Sequence, residues 1–216
     1  MKKDIILIMD TTRDELFLSL IVDGVEDRRL MEDCHSKHSV IMLEEIDKLL
    51  KENQVDIMDV GIFALSVGSG SFTGIRIGVT TVKGFIYANK TAQVIAVNSL
   101  EANAYNHLEF KNSNISVIDA KHDNAYIGEY EVENGKLIEK SLGFTTKAHI
   151  EKLLKDGCNV TSPYENTLNV PVTENYYDGF VKLVLDKISK NDFSTKTFAP
   201  LYLKKSQAEE EVDGNC

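Results

Sequence analysis

The chain has 216 residues, of which 43% are apolar and 27% charged, and a formal net charge of −10. That balance suits a globular protein with a substantial core, while the acidity argues against independent nucleic-acid binding, which draws its affinity from Lys and Arg at phosphates. No apolar run approaches the ~20 residues of a membrane span, MKKDIILIMD carries no signal-peptide cleavage site, and the scattered Cys34, Cys158 and Cys216 read as free thiols, so a cytoplasmic protein is expected.

The first apolar run, residues 5–9, ends in Asp10-Thr11-Thr12 and reads as a buried strand with polar groups at its carboxyl end. A second strand over 17–22 turns at Asp23-Gly24 into a more charged strand over 25–31. An antiparallel start followed by alternating helices and strands indicates a mixed α/β lobe. Next, Met42, Leu43, Ile46, Leu49 and Leu50 fall on one face of a helix over 39–52, with Glu44, Asp47, Lys48 and Lys51 opposite. Val40 and Ile41 are left off that face, and Ser39 or Ser36 would cap the start. His35 and His38 could begin a metal site, but the local sequence places no third ligand, so none is expected.

The stretch GSGSFTGIRIGVTTVKG, residues 68–84, follows an apolar strand over 62–65. Gly68, Gly70 and Gly74 permit positive φ or close backbone approach, and Ser71 or Thr73 can cap the helix that follows. A Walker A loop requires Gly-Lys-Ser/Thr, whereas Ile75 and Arg76 follow Gly74. The dinucleotide fingerprint fails by one residue, and no acidic residue follows at the required distance. Within the helix, Ile75, Val79, Val82 and Ile86 form one apolar stripe, and Gly74, Gly78, Thr81 and Phe85 form a small-residue stripe beside it. Only Arg76, Thr80, Lys83 and Tyr87 remain for a polar side. Two coverings are open for the second stripe: burial inside one domain, or a subunit interface.

A strand over 93–97 and a helix capped by Asn98 or Ser99 and running to about residue 107 complete a first lobe of five strands, residues 1–105. The strand over 115–120 again ends in an Asp, Asp119, and strands over 125–132 and 136–142 are joined by Asn134-Gly135. Helices over 146–155 and 176–190 complete a second lobe, residues 106–205, with Pro163 and Pro171 in loops. The repeated strand-Asp-hairpin pattern suggests duplicated lobes with Asp10 and Asp119 facing one cleft. Residues 206–216, rich in acid and poor in apolar side chains, are expected to be a disordered tail.

The segment GSGSFTGIRIGVTTVKGF resembles the G-P-G-S-F-T-G-L-R-I-G-x-x-x-A-K-G signature of the bacterial TsaB (YeaZ) family, with Ser69, Ile75 and Val82 as departures. Asp10-Thr11-Thr12 resembles its D-T-S, and His38-Ser39 its H-S-E with Val40 in place of the acid. Asn98-Ser99-Leu100-Glu101-Ala102 is similar to its S-S-L-E-A, Asp119-Ala120-Lys121 to its D-A-R, and Pro200, Tyr202, Leu203 and Lys204 to its P-x-Y-L-R, followed by Ala208-Glu209.

The resemblance implies an α/β, two-lobed fold of the actin, hexokinase and heat-shock-chaperone (ASKHA) type with mixed sheets and a reduced second lobe. It implies a non-catalytic subunit of the complex that makes N6-threonylcarbamoyladenosine in tRNA. That subunit activates a TsaD-type paralogue, which is joined by a TsaE-type ATPase, and it forms a homodimer when alone; tRNA is met only through the complex. The implied partner interface comprises His38 and Leu43 on the earlier helix and Phe72, Thr73, Gly74, Arg76, Gly78, Thr81, Lys83 and Phe85 on the later one. Asp10, Thr11, Thr12 and Asp119 would mark a degenerate nucleotide cleft, with no catalytic residue and no cofactor beyond ATP or ADP at the level of the complex. His35 and His38 are three apart where the paralogue's metal motif is H-x-x-x-H, and Asp10-Thr11-Thr12 lacks the glycine of an ATP-binding D-x-G-T loop. The other reading is a stand-alone ATP-binding, kinase-like or glycoprotease-like enzyme using Asp10 and Asp119, although no Ser-His-Asp or zinc-protease spacing is present.

Overall fold

The computed structural model describes residues 4–34, 37–110 and 113–203. The expected tail over 206–216 lies outside them, as do His35, Lys204 and Ala208-Glu209. The chain divides into two compact units. One runs to Ser99 and takes back Phe180–Pro200; the other spans Leu100–Gly179 and resumes at Leu201.

The first unit is built on a five-stranded sheet of order β3-β2-β1-β4-β5. All six residues of β1 (Ile5–Asp10) are buried, because this strand lies at the sheet's centre and both of its faces are covered. It pairs antiparallel with β2 (Leu16–Val22) and parallel with β4 (Ile62–Gly68). The Asp23-Gly24 turn, with φ of 50° and 84°, leads into edge strand β3 (Val25–Met31). Charged residues on β3 leave its open edge a poor template for pairing with another chain. β5 (Gln93–Asn98) adds in parallel beside β4.

Helix α1 (His38–Glu52) packs on β2, and α2 (Phe72–Ala88) packs on β4 alongside α1. A 3₁₀ turn, Ile57–Asp59, precedes β4. The Ser71 hydroxyl caps α2 by accepting from Gly74 N at 3.3 Å. In α1 the cap position is Lys37, with no side-chain hydrogen bond, so the cap expected at Ser39 is not used, and the alternative, Ser36, lies outside the described residues. The buried face of α1 is His38, Met42, Ile46, Leu49 and Leu50; Leu43, expected on that face, is 53% exposed.

The returning segment completes this unit. Phe180 packs edge-on against Phe17 with centroids 6.3 Å apart. Ser194 covers the open edge of β5 by donating its N–H to Val94 O (2.8 Å) and accepting Ala96 N–H on Oγ (2.8 Å). These contacts join Phe180–Pro200 to the first unit, where the sequence reading places them in a second lobe over 106–205.

The second unit carries a four-stranded sheet of order β8-β7-β6-β9. β6 (Asn114–Lys121), β7 (Asn124–Glu133) and β8 (Lys136–Thr146) form the antiparallel part, with Asn134-Gly135 at the hairpin turn in positive φ as the sequence indicates. β9 (Asn159–Thr161), three residues long, pairs parallel with β6. α4 (Lys147–Lys155) places Ile150 in a core with Ile115, Val117, Ala125, Ile127 and Val160. A second cluster joins Leu100 and Ala104 of α3 (Ser99–Tyr105) to Ile118 and Tyr130. α5 (Tyr176–Ser189) begins in this unit and ends in the first. Among the described residues no helix is long and apolar enough to cross a membrane.

Candidate functional site

β1 ends on Asp10, which is 1% exposed. Its Oδ1 accepts from Thr12 N (2.8 Å) and Thr12 Oγ1 (2.7 Å), while the buried Oδ2 has no hydrogen-bond partner among the described residues. Loss of water around the carboxyl pushes its pKa up, and the Thr12 bonds offset this only in part. Thr12 Oγ1 lies 3.5 Å from Ser99 Oγ, itself 2.8 Å from Ser66 Oγ, so a line of buried hydroxyls crosses the carboxyl ends of the parallel strands.

The first turns of α2 lie directly on this strand end. A Cβ at Gly74 would stand 1.8 Å from Thr11 O, one at Gly78 2.6 Å from Thr11 Oγ1, and one at Gly70 2.5 Å from Thr12 O. Thr11 Oγ1 donates to Gly74 O (2.7 Å), and Ser71 N donates to Thr12 O (2.7 Å). The helix therefore meets the strand end backbone to backbone, a separation that only glycine permits.

In the second unit Asp119 closes the same local turn, its Oδ1 accepting from Lys121 N at 2.7 Å. Its Oδ2 accepts from Thr167 N (3.0 Å) and Thr167 Oγ1 (2.7 Å). Partial burial raises the Asp119 pKa, but the bonds from Thr167 and Lys121 outweigh it and hold the carboxyl below its ordinary value. At each strand end the Asp carboxylate already occupies the N–H two residues on. Asp10 is moreover buried, whereas Asp119 is partly exposed.

The residues expected at a partner interface separate into two groups. Gly74 and Gly78 are buried, and their close neighbour is Thr11 of the same chain, where the sequence left a second chain possible. His38 is also buried, with Nε2 3.2 Å from Glu15 O. Phe85 stacks on Phe63 at 5.3 Å, and Thr81 is half-buried. Leu43, Thr73, Arg76 and Lys83 are exposed, and the Arg76 guanidinium lies 5.0 Å from the centre of the half-buried Phe72 ring. Three exposed neighbours absent from that set are Val40 (73%), Tyr87 (80%) and Thr80. Arg76, Thr80, Lys83 and Tyr87 follow one another at steps of four, three and four, the polar side legible in the sequence. His35 lies outside the described residues, so the His35 and His38 pair is described only at His38.

A family model described as TsaD, tRNA N6-adenosine threonylcarbamoyltransferase, matches residues 32–178. The tRNA threonylcarbamoyladenosine biosynthesis protein TsaB of Bacillus subtilis (strain 168) is 30% identical over 132 residues, 61% of this chain and 57% of that protein. The protein of the same name from Buchnera aphidicola subsp. Schizaphis graminum is 30% identical over 129 residues, 59% of this chain and 60% of its own length. The chain thus spans less than two thirds of either relative. The solved structure of YeaZ from Pseudomonas aeruginosa superposes with a TM-score of 0.72 at 20% identity, over 93% of this chain and all of that one. With two mixed sheets and these matches, the fold is the actin-like α/β architecture expected from the sequence.

Proposed function

Because the chain belongs to the TsaD family and, within it, to the TsaB (YeaZ) group, we propose that it is a non-catalytic subunit in N6-threonylcarbamoyladenosine synthesis on tRNA, docking on a TsaD-type transferase and activating it. The observation that carries this reading is the outer face of α1 and α2. Val40 and Leu43 are large apolar residues left exposed in the first two turns of α1, and Tyr87 is exposed in the last turn of the neighbouring α2, with Lys83 one turn before it. Large apolar side chains left exposed on the outer faces of adjacent helices are candidates for burial against a partner.

In this reading the protein acts in the cytoplasm, pairs with itself through the same face when no paralogue is present, and joins a TsaE-type ATPase only within the complex. The net charge of −10 supports leaving most of the tRNA contact to the partner. The interface narrows from the set implied by resemblance to the exposed residues Leu43, Thr73, Arg76 and Lys83, with Val40, Thr80 and Tyr87 added.

The test is reconstitution with a purified TsaD-type subunit. Leu43→Asp combined with Tyr87→Asp is expected to abolish co-elution and modification while thermal unfolding stays within a few degrees of the parent, since both side chains are already solvated. Full-rate modification without this chain would overturn the proposal. Saturable binding of ATP and Mg²⁺ to the isolated chain by calorimetry would instead favour an enzyme using Asp10 and Asp119.

A further inference from the structure

We infer that Thr11 is a positioning residue that sets the axial register of α2, and with it the outer stripe a partner would read; this rests on the docking role proposed above. Helices on sheets usually meet through side chains, which tolerate small slides by changing rotamer. Here the contact has no such slack. Thr11 O occupies the space of a Cβ at Gly74, and Thr11 Oγ1 occupies that at Gly78 while donating to Gly74 O. One threonine thus straddles one helical turn. A slide of α2 by one residue would bring Ile75 and Val79 against it, and a branched side chain has no room there.

The geometry links this inner contact to the outer face. At 3.6 residues per turn, Arg76, Thr80, Lys83 and Tyr87 fall within about 60° of one another, centred opposite the line through Gly74 and Gly78. Any lift or rotation of α2 over Thr11 therefore moves these four side chains together. Asp10 completes the device by holding Thr12 through two hydrogen bonds, which fixes the strand end on which α2 rests.

Paired substitutions test this, because the two glycines oppose different parts of Thr11. Gly78→Ala sets a methyl group 2.6 Å from the hydroxyl, and is expected to weaken binding of a TsaD-type subunit about tenfold. Adding Thr11→Ala removes the obstructing group and should restore affinity to within about threefold. Gly74→Ala opposes the Thr11 carbonyl, and Thr11→Ala should not rescue it. Thr11→Ser, which keeps the donor, should behave as the parent; Thr11→Val, which keeps the bulk and loses the donor, should alone weaken binding no more than about threefold and should not rescue Gly78→Ala.

Amide chemical shifts of Arg76, Thr80, Lys83 and Tyr87 in the isolated chain supply a readout that needs no partner. They are expected to move as a group in Gly78→Ala and to return in the double variant. Unmoved shifts in Gly78→Ala, or no return in the double variant, would overturn the assignment of Thr11. If those shifts behave as expected and the parent chain binds no TsaD-type subunit, the docking role fails while the positioning role stands.

Discussion

Asp10 ends β1 and Asp119 lies two residues before the end of β6; one oxygen of each carboxylate accepts the N–H two residues on, yet the two finish in opposite electrostatic conditions. The second oxygen decides the difference. In Asp119 it accepts two bonds from Thr167 and the carboxyl stays half-exposed, so the charged form is favoured. In Asp10 it is buried with no hydrogen-bond partner among the described residues, and the charged form is disfavoured. The Asp therefore fixes the local turn through one oxygen, while the burial and hydrogen bonding of the carboxyl as a whole set the protonation.

The largest expected effect comes from crowding the contact of α2 with Thr11, the residue after Asp10. Gly74→Ala places a methyl group 1.8 Å from a backbone carbonyl that cannot change rotamer; denaturant unfolding should report a loss of about 3 kcal/mol or more. If stability is unchanged, α2 does not rest on the β1 strand end as closely as the Gly74 contact requires. A smaller effect follows from Asp119→Ala, which removes three hydrogen bonds at a partly solvated site and should cost about 1–2 kcal/mol.

The sign of the pH dependence separates the two carboxyls further. The folded pKa of Asp119 lies below its unfolded value, so its contribution is present above the ordinary Asp pKa, about 3.9, and is lost as pH falls through the folded value. The folded pKa of Asp10 lies above its unfolded value, so stability is lost as pH rises from about 3.9 through the folded value. Asp10→Asn keeps an acceptor for Thr12 without a charge, and is expected to match the parent near pH 4 and exceed it at neutral pH. Asp119→Asn should fall below the parent at neutral pH and converge with it in acid. Parallel pH profiles for the two variants would break the comparison.

Much of the architecture is legible because it is local. The Asp23-Gly24 and Asn134-Gly135 turns, the apolar run that becomes β1, and the serine cap of α2 all follow from neighbouring residues. The two stripes of α2 are legible as well. What covers the glycine stripe is not, because Thr11 lies 63 positions before Gly74 and no periodicity links them. Leu43 was misplaced for a related reason: it borders Met42 on the helix, and only the position of the sheet decides which of the two is buried. β9 has three residues, too few for an alternating pattern to show. His38, read as part of an interface, carries no sequence signal that its ring reaches Glu15 O.

The return of Phe180–Pro200 to the first unit has a consequence for biosynthesis. During translation the Ala96 amide emerges 98 residues before Ser194, the group that finally covers it. Until then the edge of β5 is open and Phe17 lacks the ring of Phe180. The nascent chain must therefore carry an unfinished first sheet while the whole second sheet is made. A ribosome stalled before residue 180 should hold a first unit that is sensitive to protease and binds a hydrophobic dye, and release of the last segment should end both.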